Sequence, residues 1–451
     1  MLHSFKVSYY PPYEYGFEVS AAAFQDINHP DHVVKNFDKE IVRNIAIFGL
    51  NDVGKTRFIQ TFDLLRELIV GSPKERAIVD LIRNISFLNS SSSRFEIQFS
   101  NNNHLFTYSL TITTGPEIIE YLYVREGDED ILVFSNDRNG IKLLKDPIDD
   151  YSYVTVLETS DSDLCFFMND KDAKLSQVYR FVSTKPDFYT EQYEKMRSIW
   201  NSLLCDAIDW FIKICIVHPD RPEFIKQDMK AISEILYHFD TGITKVEAVD
   251  ITDQNLSIIN DVKKDIYSSP DRTDIDRILE DCIEEGSQVG ILDSKTDGNR
   301  SFLITSREGI KALKLIFYHE GVDSPLDWNQ ESDGTLRLLE FCDLLNNTKP
   351  DSLFIVDEFD RKLHPIATQE LLKLFNQKPE KRQQLIFTTH ESSLISSDYL
   401  RDDEVRFISK SDENISKIHS VIGHNEYIYA INEKDYLNGK YDQLFKGDED
   451  K

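Results

Sequence analysis

The residues Gly49-Leu50-Asn51-Asp52-Val53-Gly54-Lys55-Thr56 have the spacing G-x-x-x-x-G-K-[ST], that of a loop built to hold phosphate. Such a loop turns backbone N–H groups and a positive helix end toward anionic oxygens. Lys55 then reaches the terminal phosphates and the Thr56 hydroxyl ligates Mg²⁺, so the pattern calls for a nucleoside triphosphate. Asp52 puts an acid inside the cradle. Aspartate tolerates positive φ, and its side chain is expected to point out of the turn.

Three later stretches carry matching chemistry. In "SLFIVDEFD" (352–360) an apolar strand ends in two carboxylates: Asp357 is placed to hold Mg²⁺ through water, and Glu358 to orient and polarise an attacking water. "ESDGTLRLLEF" (331–341) opens an amphipathic helix with Ser332 and Gly334, leaving free N–H groups at its positive end. An ordinary N-cap would look the same. "QLIFTTHESSL" (384–394) is an apolar strand ending in His390, which can contact a terminal phosphate or the attacking water. "TKPD" (184–187) resembles a guanine-reading motif but stands in the wrong chain order for one.

These groups need elements to position them. "NIAIFG" (44–49) reads as a buried strand, and "KTRFIQTFDLLRELIVG" (55–71) as the helix after the cradle. Residues 1 to about 40 alternate like edge strands, and "RFEIQFS", "LFTYSLTITT", "EIIEYLYVRE" and "ILVFSND" read as an antiparallel meander between 94 and 137. From 150 to 300 the pattern turns helical: "TEQYEKMRSIWNSLLCDAIDWFIKICIV", "PEFIKQDMKAISEILYHF" and "TDIDRILEDCIEEG" suggest a compact helical insert with no sustained heptads. Strands return after 300, ending in a hairpin of "EVRFISK" and "KIHSVI". The expected domains are therefore 1–149, 150–300 and 301–451.

The 451 residues are 40% hydrophobic, with 28 Phe and 20 Tyr, enough for a substantial core. No apolar run approaches the ~18 residues of a membrane span. No signal peptide is legible at the N-terminus. The five cysteines are scattered and never form CxxC, which points to a reducing, cytoplasmic setting without disulfides or zinc. A net charge of −28 makes the mean field repulsive to nucleic acid, so direct binding by the free chain is not expected.

The order of cradle, insert, "SDGT", "FIVDE" and "TTH" resembles the ABC-type ATPase heads. Within them the chain is similar to stand-alone prokaryotic ATPases related to the overcoming-lysogenization-defect and SMC-type proteins. Asn51 in the loop, "ESDGTLRLLEF", "DEFDRKLHP" and "YLNGKYDQLF" carry the likeness, over roughly 1–145 and 300–451. The resemblance implies an α/β fold: an ABC-type P-loop head with an antiparallel β-subdomain and an inserted helical domain. It implies ATP and Mg²⁺ as ligands, with Gly49, Asn51, Gly54, Lys55 and Thr56 around the nucleotide. It also implies homo-oligomerisation, Ser332 and Gly334 of one copy completing the site of another.

Relatives of this kind are often the ATPase half of two-gene phage-defence systems (abortive infection, PARIS-like), beside a TOPRIM-type nuclease or a toxin. No C-terminal nuclease domain is expected here, so such an effector would be another chain. The family's glutamine finds a candidate in Gln98. The leading function is an ATP-driven sensor or scaffold controlling an effector. A DNA-repair ATPase acting directly on DNA and an inert nucleotide-binding subunit are the alternatives.

Overall fold

Short, fully buried and largely apolar runs give the molecule its centre. In the computed structural model, Asn44–Phe48 (β5), Leu353–Val356 (β18) and Gln384–Thr389 (β19) are buried along their whole length. Strands sealed on both faces are what a parallel sheet demands. With Ile214–Val217 (β12), Val405–Lys410 (β20) and Ser416–Ser420 (β21) they form a six-stranded sheet of order β12-β18-β19-β5-β20-β21. All neighbours are parallel except the β20–β21 hairpin. The structure describes residues 1–13, 16–24, 28–69, 92–114, 118–137, 140–144, 153–155, 202–219, 222–255, 288–293, 298–306, 309–347, 349–396, 398–411, 414–420 and 431–441.

Alternate side chains of these strands feed two cores. Ile45, Ile47, Leu353 and Ile355 pack with Phe58, Phe62 and Leu65 of helix Lys55–Ile69 and with Trp210 of helix Ser202–Ile212. Ala46, Phe48, Phe354 and Val356 face the other way, against Phe341, Phe359, Leu371 and Phe375.

The first core is closed by an eight-stranded antiparallel sheet. The meander expected from the sequence is its middle: Ser92–Asn101 (β6), His104–Thr113 (β7), Ile118–Glu126 (β8) and Glu129–Asp137 (β9). Gly140–Leu144 (β10) and Tyr153–Thr155 (β11) extend it on one side, Leu2–Ser8 (β1) and Phe17–Ser20 (β2) on the other. The resulting order is β11-β10-β9-β8-β7-β6-β1-β2. Val33–Asn36 (β3) and Lys39–Val42 (β4) form a separate hairpin.

The span 150–300 departs from the expected helical insert. "ICIV" is not the end of a helix but strand β12, in register with β18. Ile243–Asp250 (β13) and Gln288–Asp293 (β14) join Arg300–Ser306 (β15), Gly309–His319 (β16) and Leu326–Asp327 (β17) in a further antiparallel sheet, which runs across the boundary drawn at 300. That sheet packs on helix Met229–His238 and on Leu338 and Leu339 of helix Asp333–Glu340. The described residues of 202–255 thus pack with the sheets and their cores. The stretches "TEQYEKMRSIW", "TDIDRILEDCIEEG" and "TKPD" lie outside the described residues.

Candidate nucleotide site

A parallel sheet gathers the loops after its strands at one edge, and ligands bind there. Strand β5 delivers the Gly49–Thr56 loop, β18 delivers Asp357 and Glu358, and β19, lying between them, delivers His390.

The loop is shaped by its glycines. A Cβ on Gly49 would stand 2.7 Å from the Ile408 carbonyl oxygen. Gly54 has φ +107°, and a Cβ there would lie 2.9 Å from Pro12 Cγ and 3.1 Å from the Tyr13 hydroxyl. The buried Tyr13 donates that hydroxyl to the Gly54 carbonyl at 2.9 Å. Lys55 is buried, its Nζ donating to the carbonyls of Gly49 at 2.8 Å and Leu50 at 2.7 Å. Burial pulls the Lys55 ammonium below the usual lysine range, while the charges of Asp357, Asp360 and Glu358 push it back up. Those opposing effects put the three carboxylates within electrostatic reach of the cradle. Asn51 and Thr56 are exposed.

Asp52 takes φ 63°, its side chain is 94% exposed, and Lys410 Nζ pairs with it at 3.0 Å. The acid is turned out of the loop and met by a cation from β20.

At the end of β18 the backbone turns sharply, with Glu358 at φ 50°, a strained conformation for a non-glycine residue. Two buried side chains hold this turn. The Thr388 hydroxyl donates to Asp357 Oδ1 and accepts the Glu358 N–H at 2.8 Å. Arg337 donates Nη2 to the carbonyl oxygens of Asp357 at 3.2 Å and Glu358 at 2.8 Å. Its Nη1 pairs with Glu340, and its guanidinium lies over the Phe341 ring at 4.6 Å. One carboxylate oxygen of Asp357 is tied down, and the Glu358 side chain is about half exposed. Asp360 accepts from Thr389 Oγ1 at 2.7 Å and from the His390 N–H at 3.0 Å, which fixes the turn carrying the exposed His390.

Ser332 caps helix Asp333–Glu340, accepting from the Thr335 N–H. Gly334 lies under the segment after Glu358: a Cβ there would sit 3.2 Å from the Lys362 carbonyl oxygen, and Lys362 pairs with Asp333 at 2.9 Å. Among the described residues no hydrogen bond joins Ser332 or Gly334 to the chain's own phosphate loop. Gln98 sits within β6, in register with Thr107 and Ser4. The sequence reading missed Thr388, Arg337, Asp360 and Lys410. The doubled threonine before His390 is the one local signal for any of them.

The Thr56 hydroxyl at the end of the loop and the Asp357 carboxylate after β18 are oxygen donors of the kind magnesium takes. A second cluster, His29, Asp31 and His32, brings its donor atoms within 4.8 Å of one another. Its imidazoles are stacked at 4.6 Å with planes 19° apart, so their in-plane lone pairs do not converge, and His32 Nδ1 is engaged by Glu404 at 2.9 Å.

Residues 213–396 match the model of a family described as "AAA domain, putative AbiEii toxin, Type IV TA system". The matched stretch holds Ser332, Gly334, Asp357, Glu358 and His390; the Gly49–Thr56 loop precedes it. Over residues 213–396 the chain is thus similar to an AAA-type domain, and the Gly49–Thr56 loop is a sequence feature outside that match. No curated protein matches the chain. Among solved structures it is similar to the SMC head domain from Thermotoga maritima (13% identity, 93% of this chain and 98% of that one, TM-score 0.38). It is also similar to an SmcHead bound to the C-winged helix domain of ScpA (12% identity, 93% and 97%, TM-score 0.41). A third is the Smc head with an extended coiled coil bound to the C-terminal domain of ScpA derived from Pyrococcus furiosus (10% identity, 99% of each chain, TM-score 0.35).

Proposed function

We propose that this chain binds and hydrolyses ATP, and that the cycle controls an effector supplied by another chain in an antiphage defence system. The observation that carries the catalytic part is the convergence of Lys55, Asp357, Glu358 and the His390 turn on one edge of the sheet, with Thr388 bridging the two acids. Gly49, Asn51 and Gly54 wrap the phosphates, and Lys55 leaves the loop carbonyls to meet them. Thr56 and Asp357 would hold magnesium, which would neutralise phosphate charge when bound. Glu358 accepts the proton of the attacking water, and His390 steadies the terminal phosphate.

Ser332 and Gly334 act in trans. They are exposed or half-buried at a helix start, make no hydrogen bond to their own cradle among the described residues, and so suit the nucleotide of a second copy. The defence setting is supported by the toxin-system description of the family matched over 213–396. A nuclease of TOPRIM type or a toxin is the partner this reading expects, in the cytoplasm. Direct action on DNA, as in repair, is the second reading, and the charge of −28 weighs against it.

The test is a pair of variants. Glu358→Gln keeps shape and ATP binding but lowers turnover by ~10²-fold or more, within the ~10²–10⁴-fold attached to positioned proton-transfer groups. Lys55→Ala loses nucleotide binding itself. Full turnover in Glu358→Gln overturns the assignment of the base.

A further inference from the structure

Arg361 stands between two carboxylates and hydrogen-bonds to neither. Its Nη2 is 3.8 Å from Glu340 Oε2, and its Nε is 3.9 Å from Glu358 Oε2. The Nε atom is buried without a hydrogen-bond partner. A desolvated guanidinium N–H left unpaired is costly; a shift of about an ångström toward Glu358 would satisfy it, and a similar shift toward Glu340 would instead pair Nη2. The two acids belong to different machinery. Glu358 ends strand β18 at the candidate site, whereas Glu340 is the last residue of the helix capped by Ser332. The same Glu340 oxygen also receives Arg337, which holds the carbonyls of Asp357 and Glu358. Four charged side chains thus connect the helix capped by Ser332, near its last turn, to the turn bearing Glu358, in the order Arg337, Glu340, Arg361, Glu358.

We propose that Arg361 is a positioning residue shared between Glu340 and Glu358, and that displacement of helix Asp333–Glu340 decides which acid it holds. With Glu340 near, Arg361 is drawn off and the Glu358 carboxylate stays free to hold the attacking water. With Glu340 withdrawn, Arg361 closes on Glu358 and occupies its lone pairs, so that the carboxylate no longer holds the attacking water. Because Ser332 and Gly334 start that helix, a nucleotide held there by a second copy reports on occupancy to this copy's Glu358. The inference rests on the proposed ATP hydrolysis with Glu358 as base, and it adds the route by which one site sets the rate of the other.

The experiment uses the full chain and measures steady-state ATP turnover together with the affinity for a fluorescent ATP analogue. Glu340→Gln should lower kcat by ~10-fold, a part of the ~10²–10⁴-fold that a positioned base supplies. KM and analogue affinity should hold within ~2-fold, the mark of an effect confined to the chemical step. Arg361→Gln should raise kcat by ~2-fold, and the double variant should match Arg361→Gln, since removing the clamp makes Glu340 irrelevant. A merely structural Glu340 would leave the double variant as slow as Glu340→Gln, and that result overturns the proposal. If Glu340→Gln does not fold, Arg361→Gln decides alone: slower turnover than the wild type overturns it. A wild-type chain without turnover refutes the ATPase reading itself. Turnover that is lost in Glu358→Gln but shows additive effects of the other two refutes the relay only.

Discussion

The Thr388 hydroxyl donates to Asp357 while accepting the backbone N–H of Glu358 at 2.8 Å. One buried hydroxyl from β19 therefore sets both the carboxylate that suits magnesium and the strained peptide that aims the neighbouring acid. Thr388→Val keeps the volume and removes both bonds. Leaving a buried N–H unpaired costs ~1–3 kcal/mol. We expect a loss of that order in urea melts, and a larger fractional fall in kcat than in ATP affinity. Unchanged turnover in Thr388→Val would show that the bridge is not needed to aim Glu358.

The surroundings of Asp52 make a second case. The acid is exposed and paired with Lys410, so the fold should be indifferent to its loss. Nucleotide affinity should not be. Removing a negative charge near the phosphates in Asp52→Gly should tighten ATP binding by ~3- to 10-fold at low salt, on Coulomb magnitudes for an exposed group. Lys410→Ala should weaken it, by exposing the phosphates to an unscreened acid. Both shifts should shrink as salt rises toward ~1 M. Equilibrium titrations at two salt concentrations check this, and a salt-independent effect would point to loop distortion instead.

How far these arrangements could be read in advance differs by residue. The cradle, the Asp357–Glu358 pair and the meander are local patterns, with spacing or alternation that survives in one dimension. The strand Ile214–Val217 is not. "WFIKICIV" continues the apolar spacing of the helix before it, and a four-residue apolar run does not distinguish buried strand from helix end. What decides it is β18, more than 130 residues away, pairing with it in register. Arg337 was invisible for the same reason. An arginine on an amphipathic helix reads as a solvent-facing charge until the turn after β18 is seen to present two carbonyls to it.

His3 predicts the acid response. Its ring is buried in β1 with both nitrogens unpartnered, and burial pushes its pKa down to about 3 from 6.5. The folded state cannot take a proton that the unfolded chain takes readily. Between pH 6.5 and 3 the unfolded state binds more protons, so stability falls as pH falls through that window. The full effect is on the order of a few kcal/mol. Denaturant melts at about pH 7 and about pH 5 should show His3→Leu losing less stability on acidification than the wild type. Parallel losses in the two proteins would show that His3 is protonated while folded.

Ser332 allows assembly to be separated from binding. Its side chain caps helix Asp333–Glu340 by accepting the Thr335 N–H at 3.1 Å. Aspartate caps a helix as well as serine does, and its charge suits the positive helix end. Ser332→Asp should therefore melt within about 0.5 kcal/mol of the wild type, the range of surface changes that break no special feature. Its own ATP site, built from other residues, should bind the nucleotide unchanged. If the helix start meets the terminal phosphate of a second copy, however, the new carboxylate faces an anion across a desolvated interface. Like charges so placed cost several kcal/mol. Light scattering with Glu358→Gln in the background, to stop hydrolysis, should show ATP-dependent dimers for the parent and monomers for the Ser332→Asp variant. Dimers of equal stability in both would mean that the heads do not meet through Ser332, and Glu340 would then have to sense something other than a neighbour's nucleotide.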